Sequence, residues 1–302
     1  LPVAPGSEGG AAVGLPEGLL ERVQTAYPTM TNSEKLIAEY LINSPEDFAL
    51  SSARKIADAV GLSEASVTRF AYALGFTGFA ELRERLQKEL LQRNNRGFKD
   101  ILDQSYRESP GAVPHLYDFL REDMELLERT MAKLSVEAFE QAVEAVLKAE
   151  SITVAGSRRA RGLAVILAMT LNNFLGNTRL APLYSGELAD EIQHLRPDGL
   201  LIAFAFARYV RESVLMVQLA ARKGVPTIVI TDSPLSPVAR AASIVLPVET
   251  HHKTPRLSYV AALSVANALA FTVALRAWET AEKTAADSEV LFRETNTFWT
   301  LS

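Results

Sequence analysis

The feature that most constrains this chain is a change of rhythm near residue 150. From Thr31 to about residue 149, apolar residues recur at helical spacing and no strand signal appears. From Ser151 onward come five short apolar, β-branched runs: Ile152–Ala155, Thr178–Leu183, Leu200–Phe206, Thr227–Thr231 and Ile244–Val248. Helical segments at Ala160–Leu175, Glu187–Leu195 and Arg211–Lys223 lie between them. Strands alternating with helices at this spacing build βαβ units. Runs that are apolar nearly throughout belong to a sheet covered on both faces. The pattern therefore predicts an all-α domain followed by an α/β doubly wound domain with a mostly parallel, five-stranded sheet.

A length of 302 residues fits two such domains. Residues 1–16 are rich in Gly, Ala and Pro and are expected to be disordered. The helical domain is assigned to 17–95, where Thr31-Asn32-Ser33-Glu34 supplies a helix start. A linker at 96–117 holds a helical stretch between two breaks, Asn94-Asn95-Arg96-Gly97 and Glu108-Ser109-Pro110-Gly111. Residues 117–149 read as two helices joined at Leu134-Ser135, with Ser135 as the second cap. The α/β domain is placed at 118–283 and a C-terminal tail at 284–302.

Composition excludes whole classes of chemistry. The chain has no cysteine, which removes disulfide frameworks, Cys-ligated zinc, iron–sulfur clusters and thiol nucleophiles. Its formal charge of -5 argues against a polycation that coats nucleic acid or anionic lipid. The first residues lack the basic start and apolar run of a signal peptide, so cytoplasm is the expected compartment. The uncharged stretch Leu257–Leu275 is long enough for a membrane span. It is, however, rich in Ala and interrupted by Ser258, Ser264, Asn267 and Thr272, which favours a helix buried all round in a core or subunit interface.

The sharpest local signal is Ala53–Leu74. A helix–turn–helix needs a small residue where its helices approach, a turn residue tolerant of positive φ, and an apolar inward face on the second helix. Ala57, Gly61, and the pair Val67 and Phe70 meet those needs, with Ser63 as the second helix's N-cap. That leaves Glu64, Ala65, Ser66, Thr68 and Arg69 facing outward. In a DNA-binding unit the early turns of the second helix enter the major groove. Arg69 suits guanine O6/N7; Ser63, Ser66 and Thr68 suit phosphates or base edges; Glu64 suits a cytosine amino group. Thr77 completes the candidate DNA-contacting set. An ordinary helical hairpin carries the same spacing, and charge does not decide between them: residues 31–96 hold nine basic and nine acidic side chains. Clustering of Arg54, Lys55, Arg69, Arg83 and Lys88 on one face would favour DNA.

A family resemblance is carried by Ser33-Glu34-Lys35, Ile37-Ala38-Glu39-Tyr40, Ile56-Ala57, and the string Gly61-Leu62-Ser63-Glu64-Ala65-Ser66-Val67-Thr68-Arg69-Phe70 followed by Leu74-Gly75-Phe76-Thr77-Gly78-Phe79. These segments resemble the N-terminal domain of RpiR-type transcriptional regulators. Gly75 and Gly78 suit a tight turn after the second helix, with Phe76 and Phe79 pinning it. The resemblance implies that the C-terminal half is a sugar isomerase (SIS) domain, a doubly wound fold that binds phosphosugars. It implies double-stranded operator DNA and a small anionic metabolite, a sugar phosphate or sugar acid, as partners. No cofactor and no metal are expected.

In an open parallel sheet, ligands sit beyond the strands' carboxyl ends near the switch in strand order. The loops leaving three strands supply the expected effector-binding set: Gly156, Ser157 and Arg158; Ala205, Ala207, Arg208, Tyr209 and Arg211; and Thr231, Asp232 and Ser233. The second of these loops departs from the family. Its usual Ser-x-Ser-Gly-x-Thr is replaced by Ala205-Phe206-Ala207-Arg208-Tyr209-Val210, so the hydroxyl cradle is gone while Arg208 and Arg211 add positive charge. Arginine clamps phosphate or carboxylate bidentately. The alternative is a vestigial pocket whose arginines are merely solvated or form dimer ion pairs.

Glu212, Glu187, His194, His251 and His252 are acid–base candidates by type, but none stands in a spacing that marks catalysis. The sequence therefore leads to a DNA-binding, metabolite-sensing regulator that forms a homodimer, with further pairing into tetramers left open and Leu257–Leu275 as the dimer contact. Two alternatives stay open: a phosphosugar isomerase with an accessory helical domain, and a DNA-binding protein insensitive to ligands.

Overall fold

The computed structural model describes residues 15–94, 98–108, 116–182, 187–252 and 257–299. The chain divides into two compact units, residues 1–96 and 97–302.

The first unit is helical: α1 (Glu17–Ala26), a 3-10 turn (Tyr27–Thr29), α2 (Asn32–Asn43), α3 (Pro45–Leu50), α4 (Ala53–Val60), α5 (Glu64–Ala73) and α6 (Phe79–Asn94). The start of α2 is a full capping box. The Glu34 N–H donates to the Thr31 hydroxyl, and the Thr31 N–H donates to the Glu34 carboxylate at 2.8 Å. Leu19, Val23, Ile37, Leu41, Phe48, Ile56, Val67, Phe70, Leu82 and Leu86 are fully or almost fully buried and form the core. Phe48 meets the Phe79 ring at 5.9 Å, and the Arg22 guanidinium lies 5.1 Å from the Phe76 ring. Both phenylalanines thus hold the α5–α6 turn to the body of the unit.

The second unit contains α7 (Phe98–Glu108), α8 (Leu116–Lys133), α9 (Val136–Lys148), β1 (Ile152–Gly156), α10 (Ala160–Leu175), β2 (Thr178–Leu180), α11 (Leu188–His194), β3 (Leu200–Ala205), α12 (Arg211–Arg222), β4 (Thr227–Thr231), β5 (Ile244–Pro247), α13 (Val260–Arg276) and α14 (Trp278–Glu294). The strands form one all-parallel sheet in the order β2-β1-β3-β4-β5. Alternating side chains separate into two apolar layers. Ile152, Val154, Ile202, Phe204, Ile228 and Ile230 pack with α9, α10 and α13 on one face. Ala155, Leu201, Ala203, Ala205 and Val229 pack with α12 on the other.

Several expectations need correction. β2 ends at Leu180, short of Leu183; Pro182 has no N–H to extend the ladder, and Leu183 lies outside the described residues. Of the segment 1–16, residues 1–14 lie outside the described residues, and Leu15 and Pro16 are buried rather than disordered. The expected boundary at 118 falls inside α8, and that at 283 falls inside α14, which packs along α10. α8 starts two residues after Pro114, and α14 follows α13 with no Gly or Pro between them. Within the single chain α13 is covered on one side only, so the expected burial in a subunit interface concerns its other side. Its alanine side (Ala261, Ala262, Ala266, Ala270) is covered, but Phe271 and Leu275 are 55% and 68% exposed. Its neighbours in the chain cover only one side of it. Among the described residues no single helix is long and apolar enough to cross a membrane.

Gly156 fixes how α10 sits on β1. A Cβ there would lie 2.6 Å from the Ala160 carbonyl oxygen, a backbone atom that cannot swing aside. Gly156→Ala is therefore expected to lower unfolding stability by about 1–3 kcal/mol, the cost of overpacking. Chemical denaturation of the two proteins checks this, and an unchanged midpoint rejects it.

Candidate functional site

Two groups of residues have chemistry at a surface. The first is α5. The α4 helix ends on Gly61, whose φ of 69° is left-handed and favours glycine. The Leu62 N–H then returns to the Ala57 carbonyl at 2.9 Å, closing the turn that sets α5 against α4. Val67, Phe70 and Ala71 face inward. Glu64, Ala65, Arg69 and Tyr72 are exposed and Thr68 is half-buried, so residues at helical spacing present one outward face. Tyr72 escaped the sequence reading, although it stands four and three residues beyond Thr68 and Arg69.

Ser66 does not face outward as expected. It is buried, four residues before Phe70 on the same inward stripe. Its hydroxyl lies 2.9 Å from that of Ser63 and accepts from Arg69 Nη2 at 2.9 Å. Ser63 occupies the N-cap position, yet its side chain makes no cap bond because it pairs with Ser66 instead. Ser66 is thus the joint that orients Ser63 and Arg69. Thr77 is exposed, and its N–H and hydroxyl both donate to Glu81 Oε2, at 2.6 and 2.7 Å. Those bonds hold the Glu81 carboxyl below the usual range. The expected basic cluster is partly tied up: Lys55 pairs with Asp47 at 3.4 Å, and the Arg83 guanidinium lies 5.7 Å from the Phe79 ring.

The second group lies at the carboxyl edge of the sheet. With the order β2-β1-β3-β4-β5, connections leave β1 and β3 in opposite directions, which opens a crevice at their ends. The adjacent strands β1, β3 and β4 bring Gly156, Ser157 and Arg158, Ala205 to Tyr209, and Thr231 to Ser233 to this edge. Ser213, near the start of α12, donates to Ser157 Oγ at 2.9 Å and ties the β1 loop to α12. Arg158 adopts a positive φ of 54°, and Arg158, Arg208 and Arg211 are all exposed.

Three expected ligand contacts are corrected by burial. Thr231 is fully buried and shares a hydrogen bond with Ser236 at 3.1 Å. Ser233 is buried, and its hydroxyl accepts from the Leu235 N–H at 3.1 Å. Ala205 is still a ladder residue whose side chain joins the α12 layer. These side chains shape the edge without being open to it.

Asp232 is the unusual group. The Ala207 N–H donates to its Oδ2 at 3.2 Å, and the Tyr209 phenol donates to its Oδ1 at 2.9 Å. Burial pushes its carboxyl up to about 6, against the lowering effect of the Tyr209 and Ala207 bonds. The sequence reading missed Tyr259 here. Its ring stacks on Phe206 at 4.9 Å, with the Arg159 guanidinium 5.6 Å from the same ring. Burial raises the Tyr259 phenol, with Arg159 acting against that shift and the charge of Asp232 adding to it. Nothing in the spacing links Tyr259 to Asp232. The described His251 and His252 lie elsewhere: His252 sits between Glu122 and Asp123 of α8, at 2.8 and 2.9 Å. Among the described residues no group of three or more His, Asp or Glu is placed to hold a metal.

The raised folded-state value makes Asp232 bind its proton more tightly in the folded chain than in the unfolded one. Stability therefore falls as pH rises from about 4 to about 6, and the cost is complete above that window. Asp232→Asn is expected to gain up to about 3 kcal/mol over the parent at pH 8 and nothing at pH 4. Denaturation curves at the two pH values check it, and a pH-independent difference contradicts it.

Comparison with known proteins bears on both groups. A family model described as "Helix-turn-helix domain, rpiR family" matches residues 17–93, and one described as "SIS domain" matches 146–272. The crystal structure of the sugar isomerase domain of an RpiR transcription factor from Sphaerobacter thermophilus is 33% identical, with a TM-score of 0.55, and 97% of it is covered by 57% of this chain. The HTH-type transcriptional regulator HexR of Pseudomonas aeruginosa is 24% identical over 265 residues, 86% of this chain and 90% of HexR. The Vibrio vulnificus NanR protein, solved in complex with ManNAc-6P, shares the fold at 18% identity and a TM-score of 0.52, over 92% of this chain and 98% of NanR. With an rpiR-type helix–turn–helix ahead of an SIS domain, and 33% identity to an RpiR sugar isomerase domain along 97% of that domain's length, this chain belongs to the RpiR family of transcriptional regulators.

Proposed function

We propose that this regulator reads its operator with the exposed side of α5 and answers to a small anionic metabolite held at the carboxyl edge of the sheet. The observation that carries the first part is the Ser63–Ser66–Arg69 chain of hydrogen bonds beside an exposed face. An arginine restrained before contact loses less freedom on binding. Arg69, Glu64 and Thr68 read base edges, Tyr72 adds an exposed contact one turn on, and Ser63 at the start of α5 and Thr77 in the turn after it serve phosphates. Paired copies would set two such helices about 34 Å apart, or a multiple of it, along the duplex.

The second part is supported by the crevice between β1 and β3, the exposed Arg158, Arg208 and Arg211 on its loops, and the starts of α10 and α12, which favour an anion. The relative NanR was solved with ManNAc-6P, and a sugar phosphate or sugar acid is the matching ligand class here. Pairing of copies is supported by apolar side chains left exposed on two packed helices: Ile166 and Met169 on α10, and Phe271 and Leu275 on α13. The rings of Phe174 and Phe271 meet at 5.4 Å across those helices. The regulator names of its curated relatives support reading the protein as a regulator rather than an enzyme. It works in the cytoplasm, where operator DNA is.

Regulation follows from linkage. A ligand that prefers one arrangement of the paired chains shifts operator affinity by its differential binding, typically about 1–3 kcal/mol. An operator titration with and without a panel of sugar phosphates and sugar acids is expected to show one that moves the midpoint about 5–150-fold. An operator affinity that no metabolite moves returns the SIS domain to assembly alone, and turnover of a phosphosugar makes the protein an isomerase. Arg69→Ala is expected to weaken cognate binding by about 1–3 kcal/mol with little effect on random DNA. An unchanged binding curve takes Arg69 off the reading surface.

A further inference from the structure

The loop from β3 to α12 offers backbone N–H groups at the mouth of the sheet, where a phosphate-binding loop has its donors. One donor is already engaged. The Ala207 N–H points to Asp232 Oδ2 at 3.2 Å, and the Tyr209 hydroxyl bonds Oδ1 of the same carboxylate at 2.9 Å. The Thr231 hydroxyl reaches Oδ1 at 3.4 Å. Asp232 comes from the end of β4, 25 positions along the chain from Ala207, so the sheet makes the contact and not a local turn. The geometry is that of a loop holding an anion, with the anion supplied by the chain itself.

We infer that Asp232 is an internal anion filling the β3-loop cradle, and that it determines which ligands the edge accepts. A phosphate or carboxylate is excluded from the β3 loop while Asp232 is ionised. The acidic end of an effector docks instead at the β1 loop, beside Ser157, Arg158 and Arg159, with hydroxyl or amino groups turned toward Asp232. This deepens the effector-site reading above and rests on it. It also accounts for the missing hydroxyls of the loop, since Ala205 and Ala207 offer no side-chain donors where none are needed. The groups around Asp232 are Tyr209, Tyr259 and, over the Tyr259 ring, Arg159. Of these side-chain classes only a carboxyl titrates between pH 5 and 8 when buried, and burial pushes Asp232 into that range.

The test follows the Ala207 amide of the full chain by ¹H–¹⁵N spectroscopy during titration with sulfate, a tetrahedral dianion whose charge is constant from pH 5 to 8. At pH 8 the Ala207 amide of the parent protein is expected to stay unmoved up to tens of millimolar sulfate. In Asp232→Ala it moves, with a midpoint at least tenfold lower. Asp232→Asn keeps an acceptor oxygen but loses the charge, and falls between them. At pH 5 the parent approaches Asp232→Asn. A parent amide that responds at pH 8 as strongly as Asp232→Ala overturns the inference, and so does an amide silent to sulfate in both variants. Should Asp232→Ala not fold, Asp232→Asn and the pH comparison decide the matter alone. Failure of the effector reading shows up elsewhere, as an operator affinity that no metabolite moves, and leaves the Ala207 result standing.

Discussion

The second unit depends on β1 being an interior strand with parallel partners on both sides. It pairs with β2 through Ile152–Val154 and with β3 along its whole length. Parallel pairing requires a crossover connection at every step, helical here except between β4 and β5, and right-handed crossovers leaving β1 and β3 toward opposite edges cover opposite faces. Two apolar layers result, and so does the one place on the sheet's edge where neighbouring loops part. Gly156 sits at that place and lets the first turn of α10 close over the strand end. The crevice is thus a consequence of strand order, and the loops at its rim only decide its chemistry.

That chemistry differs from a hydroxyl-lined phosphate cradle. A half-buried carboxylate, bonded by a backbone N–H and a phenol, stands at the rim beside a stacked Phe206–Tyr259 pair. Guanidinium groups flank the same edge. A negative centre within a positive rim favours ligands that present an acidic end and hydroxyl or amino groups together, and it disfavours simple anions. The raised Asp232 carboxyl is the expected mark of such a site, because burial disfavours the charge more than its hydrogen bonds restore it.

In the first unit the comparable device is Ser66. A hydroxyl on an apolar stripe costs stability unless it is bonded, and here it is bonded to both Ser63 and Arg69. The polar residue in the wrong place for contact is in the right place for positioning. Gly61 and the Leu62 N–H fix the angle at which that stripe meets α4. The exposed face of α5 therefore inherits its orientation from the core rather than from its own side chains.

Much of this was legible in the chain. Helical periodicity located most of the helices, and short apolar, β-branched runs located all five strands, since both follow from local backbone geometry and the need to bury apolar faces. The Ala57–Gly61–Val67–Phe70 spacing located the helix–turn–helix for the same reason, and Thr31–Glu34 marked a helix start through bonds that span one turn. What needed the tertiary structure was every contact between residues distant in sequence. The bond from Ala207 to Asp232, the approach of Tyr259 and Arg159, and the burial of Thr231 and Ser233 depend on which strands lie side by side. The boundary inside α14 and the half-exposed α13 depend on which helices pack on α10. Sequence determines which faces must be hidden because hydrophobicity and hydrogen-bond capacity belong to each residue. Only the folded chain decides what hides them, because strand order and layer packing are properties of the whole.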